Sequence, residues 1–200
     1  MKKLQRIIKD ALSKSISYKE YRALIEELAS NDLSSGPEMS ESRVEFTKLN
    51  HRRMHRWDKT LKVSEDIMNK MNGVGDKMTW LVITESWCGD AAHIIPPINK
   101  LATVNSNINL RLVFRDENEE LMNEFLTNGS KAIPMVIIID DNSGEVLSAY
   151  GPRPEPATTM VKEYKEKNGA LTPEFKEELQ RWYNKDKGQS TLIELFTLVA

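Results

Sequence analysis

Apolar residues recur at helical spacing through the first third of the chain and gather into short continuous runs in its middle, a pattern that predicts helices first and a sheet after them. Ser17-x-x-Glu20 forms a capping box ahead of Tyr21, Leu24, Ile25 and Leu28 on one helical face. Asn31 to Ser40, with Gly36-Pro37, breaks that helix. Ser42-x-x-Glu45 opens a second, in which Phe46, Leu49, Met54, Trp57 and Leu61 make an approximate apolar stripe, and a shorter third starts at Ser64 with Ile67, Met68 and Met71. Trp80 to Thr84 is a run without polar alternation, expected of a buried strand, and Asn109 to Phe114 reads as another. Asp116 is expected to cap a helix through Asn128, with Leu121, Met122, Phe125 and Leu126 inward and Gly129 ending it. Met135 to Ile139 is strongly β-branched; Asp140-Asp141-Asn142-Ser143-Gly144 then turns the chain into a strand from Glu145 to Tyr150, which Gly151 ends. Helices are expected from about Ala157 to Asn168, from Thr172-Pro173 with Phe175, Leu179 and Trp182 on one side, and from Thr191 to Leu198.

The chain thus divides into a helical N-terminal extension (1–75), an α/β core (76–167) and C-terminal helices (168–200). A net charge of −2 demands neither nucleic acid nor an acidic membrane. Leu4, Ile7, Ile8, Ala11 and Leu12 are interrupted by Gln, Arg, Lys and Asp, so no continuous apolar segment for a signal peptide is present, and no run is long enough to span a membrane. A single cysteine cannot staple a fold, which points to a reducing, cytoplasmic setting.

That cysteine stands in Trp87-Cys88-Gly89-Asp90, directly after the first strand and before a helix-like segment. Pro96 follows it by eight residues, and Ile133-Pro134 opens the β-branched run. In these features the stretch from about 76 to 167 resembles the thioredoxin superfamily, specifically bacterial members with a single-cysteine Trp-Cys-Gly-Asp centre. The resemblance implies a central mixed sheet flanked by helices. It also implies that Pro134 is a cis-proline facing Cys88 across a substrate groove, with Trp87 and Gly89 shaping the loop and Ile133, Pro134 and Gly151 bordering the bound substrate. Two departures bear on activity. Position 91 is alanine where a Cys-x-x-Cys centre needs its second thiol, and Val82 replaces the buried acid that assists that thiol.

Redox chemistry would therefore have to be monothiol: the Cys88 thiolate attacks a mixed disulfide, and a second thiol resolves it. A helix N-terminus favours a thiolate, whereas Asp90 opposes it; two unit charges about 6 Å apart repel by roughly 3 kcal/mol at an effective dielectric near 20, which leaves the sign of the net shift open. Asp90 is either such a pKa modulator or simply a good first-turn helix residue. Arg153, mounted rigidly between Pro152 and Pro154, is a candidate for holding a carboxylate of a small thiol or peptide, the alternative being a solvated loop arginine. The basic run His51 to Arg56 is short and reads as a solvated helix face rather than a nucleic-acid site. His51, His55 and His93 assemble no convincing zinc site, Gly73-Val74-Gly75 lacks the third glycine of a dinucleotide loop, and Glu85 occupies the place where a peroxiredoxin needs Thr or Ser. No metal and no cofactor is expected. Two functions stay open: a monothiol thiol-disulfide oxidoreductase acting on a protein or peptide disulfide or a small thiol, and a non-catalytic module using the cis-proline groove for a peptide or protein partner.

Overall fold

The structure is a computed structural model describing residues 2–199; Met1 and Ala200, the outer ends of the first and last spans, lie outside the described residues. Four helices precede the sheet: α1 (Lys3–Lys14), α2 (Tyr18–Ser30), α3 (Glu41–Thr60) and α4 (Glu65–Asn72). Local chemistry sets several of their starts. Ser17 accepts from the Glu20 N–H while the Glu20 carboxylate reaches back, closing the expected capping box, and Ser64 caps α4. The start of α3 departs from expectation: its cap is Ser40, whose Oγ accepts from the Arg43 N–H, so Ser42 already lies within the helix.

The sheet consists of β1 (Met78–Thr84), β2 (Ile108–Phe114), β3 (Met135–Asp140) and β4 (Val146–Tyr150) in the order β2-β1-β3-β4. β1 runs parallel to β2 and antiparallel to β3, and β3 antiparallel to β4. Every residue of β1 is buried, as a central strand covered on both faces must be. Each large apolar side chain placed there contributes about 1.5–3 kcal/mol of burial. The crossover between the parallel strands carries α5 (Ala91–Ala102). Beyond β2 come α6 (Glu119–Glu124) and, after β4, α7 (Glu155–Asn168), α8 (Pro173–Asp186) and α9 (Gln189–Thr197). This is a thioredoxin fold with additional helices before and after it. Between α1 and α2 the backbone of Ile16 exchanges two hydrogen bonds with Leu112, at 2.9 and 2.8 Å, on the outer edge of β2.

One helix is much shorter than its apolar pattern suggests. Asp116 does not cap it, being paired instead with Arg115 and donating its N–H to Glu85. Asn118 starts it, and it stops at Glu124 because Asn128 and Gly129, both at positive φ, fold residues 127–130 into a tight bridge. Leu126 is consequently exposed rather than inward. Among the described residues no helix is long and apolar enough to cross a membrane.

Candidate functional site around Cys88

The loop from β1 to α5 carries Cys88, and neighbours from the N-terminal helices fix it. Ser86 is held at its N–H by Ser35 Oγ (2.8 Å), at its hydroxyl by Thr47 (2.8 Å) and at its carbonyl by Asn50 Nδ2 (2.9 Å). Glu85, fully buried, accepts from the Ser35 hydroxyl and from the Asp116 N–H; desolvation raises its pKa above the ordinary carboxylate range against those bonds. Trp87 donates its indole N–H to Ser35 O at 3.2 Å, with the guanidinium carbons of Arg43 and Arg115 at 4.4 and 5.0 Å from its ring centre. None of Ser35, Thr47 or Asn50 announces this role in the sequence, because each acts across 36 or more residues.

Cys88 itself is buried, and its Sγ donates to the carbonyl of Ile133 at 3.3 Å. Burial is the largest force on its pKa and the Asp90 carboxylate the next; together they push the thiol up to about 12, while the backbone N–H groups of Ala91 and Asp90 and the charge of Arg153 pull the other way. The sign left open by the sequence is therefore upward, and desolvation decides it.

Asp90 begins α5 but makes no side-chain cap. Its carboxylate instead pairs with Arg153 (2.5 Å) and accepts from the Tyr183 hydroxyl of α8 (2.9 Å). The carboxylate expected for Arg153 is thus supplied from within the chain. The Tyr183 ring stacks on His93 with ring centres 4.6 Å apart. His93 Nδ1 accepts from the Trp57 indole N–H at 3.0 Å, so Nε2 carries the proton and donates to Gln180 Oε1 at 2.6 Å. Burial lowers the His93 pKa to about 3, keeping the ring neutral.

A groove of about 670 Å³ opens over this centre, walled by α3 on one side and α8 on the other, with Trp87, Cys88, Gly89, Asp90 and Arg153 between them. α3 turns Ser42, Phe46, Leu49 and Arg53 toward it, a set spaced for one helical face, while Val44, Thr47, Asn50, Met54 and Trp57 are buried on another. This corrects two expectations. Phe46 belongs to the groove wall and is exposed there, and Arg53 is half-buried in it rather than on a solvated face. Ile133, Pro134 and Gly151 do not line this groove. The Ile133–Pro134 peptide is cis, and Gly151 has φ +130° with its backbone so close to Pro134 that an added Cβ would lie 2.3 Å from the Pro134 oxygen. Among the described residues no cluster of His, Cys, Asp or Glu is arranged to hold a metal ion.

Comparison with known proteins places this geometry. A family model described as thioredoxin matches residues 36–165. No curated protein matches the chain. Among solved structures, a protein of unknown function from Pseudomonas aeruginosa superposes with a TM-score of 0.59 at 14% identity, covering 76% of this chain and 84% of its own. An HIV epitope scaffold does so with a TM-score of 0.58 at 13% identity, covering 92% of this chain and 98% of its own. With the fold in place and the family match running from the loop before α3 well into α7, the chain belongs to the thioredoxin family.

Proposed function

We propose that this protein is a ligand-binding thioredoxin-fold module in which Cys88 forms the floor of the site as a neutral thiol. The observation that carries this reading is the burial of Cys88 beneath an open groove, its S–H directed at the Ile133 carbonyl. A thiol pushed up to about 12 has a vanishing thiolate fraction near pH 7, and the thiolate is the nucleophile that exchange requires. In this reading the helical segments 1–75 and 168–200 supply the walls through α3 and α8, and the 76–167 core supplies the floor. The partner enters between the helices rather than along Ile133, Pro134 and Gly151. The setting is the cytoplasm, and the kin are bacterial proteins with the same single-cysteine Trp-Cys-Gly-Asp centre.

A second reading, monothiol thiol-disulfide exchange with a peptide or protein disulfide or a small thiol, is favoured by the backbone N–H groups of Asp90 and Ala91 and the charge of Arg153, all of which stabilise a thiolate. The pH dependence of Cys88 alkylation by iodoacetamide separates the two, and the single cysteine makes the readout unambiguous. Slow reaction at neutral pH, with a midpoint above the ~8.5 of a free thiol, is the expected result. Fast reaction with a midpoint well below that value would sink the binding-module reading and establish exchange as chemically competent.

A further inference from the structure

The groove holds four cationic side chains, and they are not equivalent. Arg43 is paired with Glu38 (2.8 Å) and lies over Trp87, and Arg153 is paired with Asp90. Arg53 and Lys176 have no carboxylate within ion-pair distance among the described residues. Lys176 is exposed, whereas Arg53 is half-buried beside Gly89 and donates to one acceptor, Asn50 Oδ1, at 3.1 Å. A guanidinium carries five N–H donors in a planar fork, so most of its capacity points at nothing the chain provides. Burial, with Arg56 and Arg52 adding to it, lowers its pKa to about 10, and the charge of Asp90 offsets this only in part. A charge held half out of water without a counter-ion is costly, and a bound anion would relieve that cost.

The rest of the lining selects the anion. Phe46, Leu49, Trp87, Leu171 and Leu179 are apolar, and a volume of about 670 Å³ is within the range of small-molecule pockets. Asp90 and Glu177 also line the groove and disfavour a ligand with more than one negative charge. Resting on the groove as the binding site proposed above, we infer that its ligand is a small monocarboxylate with an apolar body, its carboxylate held by Arg53 in a two-pronged ion pair and its body lying on Phe46, Leu49 and Trp87.

The test titrates the full ¹⁵N-labelled chain with 3-phenylpropionate and with its uncharged counterpart 3-phenylpropionamide, following the Trp87 indole and Gly89 amide resonances. The acid is expected to bind about ten-fold more tightly than the amide, the difference a charge-assisted hydrogen-bonded pair supplies. That preference should persist in Arg52→Gln, an exposed neighbour, and vanish in Arg53→Gln. Acid and amide binding the wild-type groove equally would overturn the inference and leave the groove reading standing, a comparison that needs no variant to fold. A preference surviving in Arg53→Gln would overturn the assignment to Arg53. If neither probe moves the groove resonances, the inference and the groove reading fall together.

Discussion

Cys88 and Asp90 stand two residues apart, and the carboxylate shapes the thiol twice: its charge opposes the thiolate, and its pairing with Arg153 partly neutralises the cation that would favour one. Asp90→Asn removes the first effect and frees Arg153 from the second. The alkylation midpoint of Cys88 is therefore expected to fall, with about a ten-fold gain in thiolate fraction at neutral pH for each unit of the drop and a smaller gain in rate. The same substitution strips Arg153 of its ion pair and weakens the Tyr183 hydrogen bond, so urea unfolding should show a loss of about 1–3 kcal/mol. A midpoint unmoved by the substitution would show that desolvation alone sets the thiol. What the sequence disclosed at this scale was the identity of the two groups and their opposed influences. It did not disclose burial, which decides the sign, nor Tyr183, which reaches Asp90 across 93 residues.

Among the elements, features governed by neighbours in sequence were legible and those governed by distant ones were not. The caps at Ser17, Ser64 and Thr172 are satisfied within three residues, and the runs at Trp80 and Met135 can only be central strands once a sheet forms. α6 is shorter than its pattern predicts because Phe125 and Leu126 continue an apolar pattern that the turn at Asn128-Gly129 overrides. The α3 pattern predicts one apolar stripe, whereas the helix presents two faces, one to the core and one to the groove, a division that depends on α8 being opposite. Of the two α3 residues that hold the Cys88 loop, Asn50 is fully enclosed and bonded to Ser86 O. Asn50→Ala leaves that carbonyl without its donor and removes the acceptor of Arg53, and is expected to cost about 1–3 kcal/mol in chemical denaturation. A cost within ±0.5 kcal/mol would mean that the loop is held by Ser35 and Thr47 without it.

Across the whole molecule His93 joins three helices: it sits on α5, accepts from Trp57 on α3 and donates to Gln180 on α8. Its folded pKa, about 3, lies below the ~6.5 of an unfolded histidine. Below pH 6.5 the unfolded chain takes up a proton that the folded chain refuses until near pH 3. The stability is whole above 6.5 and is lost as pH falls through this window, at up to about 1.4 kcal/mol per unit. Between pH 7 and pH 5 the loss assigned to this one ring is about 2 kcal/mol, and it should be absent in His93→Gln when urea unfolding is compared at the two values. An equal pH 7 to pH 5 difference in both proteins would place the acid sensitivity elsewhere.

The pairing of Ile16 with Leu112 has a kinetic side. Two backbone bonds join residues 96 positions apart, so the chain must close a long loop before α1 and α2 can settle against β2. Contacts of such separation slow folding, so the docking of the N-terminal helices against β2 is expected to come late. The same two amides then become reporters of cooperativity: if the helices and the sheet open as one unit, the Ile16 and Leu112 N–H groups exchange with solvent only at the rate of global opening.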